Sequence, residues 1–378
     1  MKKKLLIIIS IILFFFLDAT ISYAKKKNTV KIITDSDEIR AIYISYLEYL
    51  NNFEGGSKVV NQARIDKMID SIKELGLNSI MLHVSPFSDS IYESKLFPYS
   101  YTLTGEEGKN PGFDYLDYFI KKAHSKNIKI HAWINPYRIS FENNINSISD
   151  KNPAKRLIDT SSIMVDKNGI YYNPASLIVK NLIIRQVEEI INNYNVDGIH
   201  FDDYFYIQDD IDRLEYLNYQ NNGGTQSLKE FRLNNTNDLI KKVYQTIKKK
   251  DKNIMFSIAP DGNINNNYIY HYADVKTWLK NNDYVDIIMP QIYYGFENEY
   301  SPFSEVLDNW IKMCTNKNIK IVPVLASYKV GEIDNGAGSG KNEWVNDKKI
   351  INNQISQIHI NNLDGYALFR YDYVVKNK

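Results

Sequence analysis

The chain has 378 residues, 44% apolar and 24% charged, which suits a packed core in one large domain or two ordinary ones and excludes wholesale disorder. Lys and Arg number 46 against 45 for Asp and Glu, a balance that argues against a nucleic-acid partner, which calls for a basic excess. The single cysteine, Cys314, excludes an internal disulfide and a zinc-finger scaffold.

The first element is a leader. Residues 1–4 read Met-Lys-Lys-Lys, residues 5–17 are apolar, and Ser22-Tyr23-Ala24 supplies a cleavage site. This is the three-part pattern of a signal peptide over residues 1–24, cut after Ala24. The apolar run falls short of the ~20 residues that span a bilayer, so no stable membrane span is expected after cleavage. The mature chain is expected to be secreted or held at the cell envelope. Its net charge moves from +1 to −1 on cleavage. Residues 25–37 read as a short polar linker.

From residue 38 the pattern alternates. A strand at 39–45 is followed by a helix at 63–75, closed by Gly76. A strand at 79–84 precedes a helix at 114–125, and a strand at 128–133 precedes a long helix at 174–193, opened by Pro174. Next come a strand at 198–201, a helix at 228–250, a strand at 254–258 and a short helix at 275–281. The chain then gives a strand at 285–289, a helix at 303–315, a strand at 319–325, a helix at 348–360 and a last strand at 365–369. The strands are continuously apolar, as expected where both sheet faces are buried. Eight such units predict an α/β fold, a single (β/α)8 TIM barrel over residues 38–375. No glycine-rich dinucleotide fingerprint follows the first strand. The long stretches 85–112, 134–172, 204–226, 260–274 and 326–347 mostly follow strands, the side on which this fold builds its site.

Chemistry concentrates at those strand ends. The sharpest signal is the run from Asp197 to Tyr206, Asp-Gly-Ile-His-Phe-Asp-Asp-Tyr-Phe-Tyr. Period-two alternation puts His200 and Asp202 on one face, toward the barrel mouth, and Asp203 on the other, nearer the rim. The second strand ends at His83 and Ser85, and the third runs His131-Ala132-Trp133-Ile134-Asn135-Pro136-Tyr137-Arg138. The fifth leads to Asp261, and the sixth to Gln291, Tyr293 and Tyr294. Carboxylates, amides and flat rings gathered at one end suit a polysaccharide or oligosaccharide partner. The 29 tyrosines, 16 phenylalanines and 4 tryptophans fit such a groove as well as ordinary packing. His83, His131 and His200 sit on neighbouring strands, but no H-x-H or H-E-x-x-H spacing supports a metal, and no cofactor is expected. No G-x-S-x-G elbow appears.

These motifs resemble the glycosyl-hydrolase-like 10 family of exported bacterial proteins. The resemblance runs over about residues 38–330. It is carried by Leu103-Thr104-Gly105, Pro111-Gly112-Phe113-Asp114, the 131–138 run, Tyr172-Asn173-Pro174, the 197–206 run and Pro290-Gln291-Ile292-Tyr293. It implies a (β/α)8 barrel and glycosidase activity on bacterial cell-wall glycan, in particular peptide-stripped strands of peptidoglycan. Two departures stand out. Ser85 takes a place where the family tends to carry Arg, and Ala259-Pro260-Asp261-Gly262 replaces a Ser-Pro-Phe-Gly type of sequence. The 197–202 run is also similar to the fourth-strand motif of alpha-amylases, where the final Asp is the nucleophile. The catalytic Glu of the chitinase motif would fall at Tyr204.

Glycoside hydrolysis needs two carboxyl groups flanking the bond. Asp202 is the expected nucleophile or charge stabiliser. Asp261 leads as proton donor, followed by Asp203 and then Glu297 or Glu299. A substrate acetamide acting as nucleophile is the variant in which Asp202 orients it. Trp133, Tyr204, Tyr206, Tyr293 and Tyr294 are expected to stack on sugars. Asn135, Arg138 and Gln291 are expected to hydrogen-bond them, with His83 and His200 facing the same mouth. Two other readings stay open: a non-catalytic glycan-binding barrel, and a metal-dependent deacetylase of N-acetyl sugars built on the three histidines.

Overall fold

The computed structural model describes residues 37–202, 205–207 and 210–376. The leader expected over residues 1–24 lies outside the described residues, as does the linker over 25–37 apart from Asp37.

The described barrel strands are β1 (Ile39–Ile44), β2 (Ser79–Ser85), β3 (Lys129–Ile134), β4 (Gly198–Phe201), β5 (Met255–Ile258) and β6 (Ile287–Ile288). Strand β7 comes in two pieces, Lys320–Ile321 and Val324–Ala326, and β8 is Gly365–Phe369. Every neighbouring pair is parallel. The first piece of β7 pairs with β6 and the second with β8, while β8 also pairs with β1. The sheet therefore closes through β7, which makes it a barrel. Pro323 divides β7 because it lacks an N–H for the ladder. Its carbonyl still accepts from Ala367 N at 2.9 Å, so the strand path continues across the break.

Alternate strand residues face opposite sides. Ile42, Ile44, Ile80, Leu82, Ile130, Ala132, Ile199, Phe201, Phe256 and Ile258 join the large core between strands and helices. Ala41, Tyr43, Met81, Trp133, Ile287, Met289, Val322, Val324 and Ala367 form a smaller cluster inside the barrel. A side chain at Gly198 would put its Cβ 2.3 Å from His131 Nδ1, so this glycine lets a buried imidazole fill the interior beside it.

Helix ends follow local chemistry. Ser227 and Glu230 form a reciprocal capping box that starts helix Leu228–Lys250. The helix expected from Pro174 starts later, as Leu177–Asn193, because Ser176 Oγ caps Val179 N and Asn173 holds the preceding turn. The stretch 134–172, expected as loop, contains a three-stranded antiparallel sheet of Arg138–Ser140, Ile163–Asp166 and Gly169–Tyr172. A helix Tyr46–Asn52 directly after β1 also adds to the expected alternation.

Candidate active site

The inward positions of β1 to β6 and β8 converge at the carboxyl end of the barrel. There a cleft of about 230 Å3 is lined by Tyr43, His83, Trp133, Arg138, Asp202 and Gln291, together with the rings of Tyr46, Phe141, Tyr293 and Phe369. Asp202 follows β4 directly and is 3% exposed. Its Oδ2 accepts from Trp133 Nε1 at 3.2 Å and from Asn135 Nδ2 at 3.1 Å. Asn135 is oriented in turn by Arg138 N, which donates to its Oδ1 at 3.2 Å. Two neutral donors from the end of β3 thus set the direction of the carboxylate.

Below it, His200 is fully buried. Its Nε2 lies 3.0 Å from the Tyr43 hydroxyl and its Nδ1 2.8 Å from Ser257 Oγ. His83 stacks flat on Trp133, with ring centroids 3.6 Å apart at 11°, and neither of its ring nitrogens has a hydrogen-bond partner. Burial drives both imidazoles well below the ordinary histidine range, aided at His83 by the Arg138 charge. Both are neutral rings near pH 7. Neither adds cationic charge beside Asp202, and His83, which lines the cleft, is the one whose ring nitrogens are not committed within the protein. Arg138 supplies that charge. Its guanidinium sits 4.6 Å from the Phe141 ring centre, 4.9 Å from Phe87 and 5.8 Å from Tyr46, and Nε donates to Pro86 O at 3.3 Å.

Of the residues singled out in the sequence, Asp202, Trp133, Asn135, Arg138, His83, Gln291 and Tyr293 come together here, with His200 beneath them. Gln291 donates from Nε2 to Ala259 O at 2.8 Å, which fixes its amide at the edge of the cleft. Asp203 and Tyr204 lie outside the described residues.

Three others are elsewhere. Asp261 accepts from Asn263 N at 2.7 Å on Oδ1 and from Asn266 Nδ2 at 2.9 Å on Oδ2, an Asx turn ahead of helix Ile264–Ile269. It does not line the cleft. Tyr206 is 1% exposed and packs with Tyr171, Ile211 and the Arg232 guanidinium. Tyr294 packs against the outer core, and its carbonyl accepts from Gln354. The third-choice donors are also off the cleft, and Glu299 accepts from Ser339 N at 2.8 Å. Sequence reasoning missed Tyr43, Tyr46 and Phe141, whereas Phe369 ends the last strand, one of the strand ends whose rings and polar groups gather there. Period-two alternation from Ala41 marks Tyr43 as inward, whereas the ring contacts of Tyr46 and Phe141 depend on tertiary neighbours.

The three histidines do not form a ligand set. His200 uses both nitrogens on Tyr43 and Ser257, His83 lies flat on Trp133, and His131 packs against Gly198. Among the described residues, no group of three or more His, Cys, Asp or Glu is arranged to hold a metal ion.

His131 carries a testable pH effect. Burial pushes it down to about 4, against a weaker upward pull from Asp197. The unfolded chain binds this proton near 6.5, so between pH 6.5 and 4 it binds more protons than the folded one. The stabilisation is full above pH 6.5 and is lost as pH falls toward 4. Unfolding in urea at pH 7.5 and pH 5 should show about 2 kcal/mol lost through His131, with His83 and His200 adding in the same direction. His131→Gln should flatten the slope. An equal slope in that variant would contradict the assignment.

Comparison with known proteins agrees with this architecture. The family described as Glycosyl hydrolase-like 10 matches residues 38–363. The chain is 29% identical over 331 residues to "Glycosyl hydrolase YngK" of Bacillus subtilis (strain 168), covering 82% of this chain and 64% of that protein. It thus spans just under two-thirds of that relative's length. It is 30% identical over 358 residues to "Glycosyl hydrolase DigH" of Escherichia coli (strain K12), covering 86% of this chain and 79% of the relative. The fold is similar to the PgaB (BpsB) glycoside hydrolase domain from Bordetella bronchiseptica, at a TM-score of 0.63 and 12% identity, covering 90% and 96% of the two chains.

Proposed function

We propose, from the premise that the chain belongs to the Glycosyl hydrolase-like 10 family, that it is an exported glycosidase whose substrate is bacterial cell-wall glycan stripped of peptide. The observation that carries the reading is Asp202, a buried carboxylate oriented by Trp133 and Asn135 at the mouth of a closed barrel. Among the described residues lining the cleft it is the one carboxylate. Aromatic walls and neutral imidazoles around it suit a sugar ring held by stacking and hydroxyl contacts. Arg138 in the same wall favours a glycan with anionic substituents, such as the free carboxylates that peptide removal leaves on muramic units. No helix of the described residues is long and apolar enough to cross a membrane.

In this mechanism Asp202 attacks the anomeric carbon, or orients a substrate acetamide that does so. A second carboxyl group protonates the leaving oxygen. The commitment of both Asp261 oxygens to a turn favours Asp203, the neighbour of Asp202 in sequence, as that donor. An aryl glycoside with a dinitrophenyl leaving group separates the roles, because its departure needs no proton. Asp203→Asn should lose more than ~100-fold on glycan but less than ~10-fold on the activated substrate. Asp261→Asn should lose less than ~10-fold on both. The reverse pattern would move the donor to Asp261.

A further inference from the structure

Ser45, Tyr46 and Leu47, at the start of helix Tyr46–Asn52, line the Asp202 cleft, and so does Phe369 at the end of β8. The Tyr46 ring meets Phe87 at 4.9 Å and His83 at 5.9 Å, and the Phe369 ring meets Tyr43 at 5.4 Å and Tyr293 at 5.7 Å. One carboxylate joins these two segments. Glu48 is fully buried and does not line the cleft. Its Oε2 accepts from Ser45 N at 2.8 Å and Ser45 Oγ at 2.6 Å, which closes the capping box of this helix. Its Oε1 accepts from Arg370 Nη1, 322 residues away in sequence, and from Asp372 N at 3.3 Å. The next helical residue, Tyr49, donates from its hydroxyl to His83 O at 2.9 Å.

The Ser227–Glu230 box shows what capping alone requires. Glu230 is exposed and accepts from Ser227 N and Ser227 Oγ, both at 2.8 Å, with no partner from another segment among the described residues. The two bonds that Glu48 takes from the end of β8 are therefore surplus to capping. Burial raises the Glu48 carboxyl above its ordinary range, although the Arg370 charge pulls it down. A buried pair of this kind adds little net stability, because lost hydration offsets the attraction. What it fixes is geometry. We propose that Glu48 and Arg370 are positioning residues for glycan binding, holding the Tyr46 and Phe369 rings in the one arrangement that packs on the sugars. The inference rests on the glycosidase reading of the cleft. The Asp202 carboxylate takes its direction from Trp133 and Asn135 at the end of β3, so the effect falls on affinity and not on the chemical step.

Kinetics on amidase-stripped glycan test this, together with titration calorimetry of the same glycan on the Asp202→Asn background. Glu48→Gln keeps the capping box, which glutamine also closes, but turns an amide NH2 toward Arg370. It should raise KM ~10-fold and weaken binding by a similar factor, with kcat within ~3-fold of wild type. Arg370→Gln should do the same, whereas Arg370→Lys, which keeps the charge, should stay within ~3-fold in both constants. A merely structural role would shrink the folded fraction, which lowers apparent kcat and leaves KM unchanged. That pattern, an unchanged affinity in Glu48→Gln, or equal losses in Arg370→Lys and Arg370→Gln would overturn the proposal. A wild type that binds glycan but releases no reducing ends fails the glycosidase reading, and the calorimetric comparison still decides the role of Glu48 and Arg370. A wild type that binds no glycan would overturn both.

Discussion

Asp202→Asn is expected to lower glycan hydrolysis more than ~100-fold while leaving the unfolding midpoint within about 1 kcal/mol of wild type. The substitution keeps shape and one carbonyl oxygen, which still accepts from Trp133 Nε1 and Asn135 Nδ2. The packing of the ring cluster around Tyr43, His200 and Trp133 is therefore untouched. What disappears is the negative charge facing the reacting sugar. An amide neither attacks the anomeric carbon nor stabilises an oxocarbenium-like transition state, so the loss falls on kcat and survives a change of leaving group. Initial rates on glycan, with urea unfolding of the same sample, check both halves. A variant that keeps a tenth or more of wild-type activity would remove Asp202 from the chemistry.

Arg232→Met is expected to destabilise the protein by about 3–5 kcal/mol, the cost of stranding a buried charge. Asp212 is fully buried, and Arg232 meets it from Nε at 3.1 and 3.0 Å and from Nη2 at 2.8 Å. Arg232 also donates to the Tyr272 hydroxyl at 2.9 Å, with its guanidinium 4.9 Å from that ring and 5.6 Å from Tyr206. It joins helix Leu228–Lys250 to the segment following Asp202. Methionine fills much of the volume but leaves the Asp212 carboxylate without its partner. Adding Asp212→Asn should recover part of the loss, since the stranded charge goes with it. Denaturant unfolding of both single variants and the double variant reads the coupling. Additive losses would mean that the pair is not the source of the cost.

The parts of this fold legible in the sequence are those set by local rules. Strand Gly198–Phe201, strand Gly365–Phe369 and helix Leu228–Lys250 coincide with the expected bounds, because apolar runs and the Ser227–Glu230 capping box act over a few residues. The small sheet over 138–172 was not legible. Arg138-Ile139-Ser140 is too short to show a period, and its pairing with Gly169–Tyr172 lies across thirty residues. Pro174 misled for a similar reason, since the helix waits for the Ser176 cap.

The same division runs through the site. Alternation along β4 places His200 inward from Gly198, and Asp202 continues that face into the cleft. Tyr206 reads as a stacking ring in sequence but is taken by Arg232, a long-range partner that no local pattern announces. Asp261 reads as a strand-end acid, yet three asparagines close to it in sequence, Asn263, Asn266 and Asn267, recruit it into a turn.

The most direct measurement is release of reducing ends from purified cell-wall glycan, intact and amidase-stripped, by the chain from residue 25 onward, with Asp202→Asn alongside. The expected result is cleavage of the stripped glycan in preference to the intact one, falling by more than ~100-fold in the variant. No release from either glycan by the wild type, or equal release by Asp202→Asn, would contradict a glycosidase centred on Asp202.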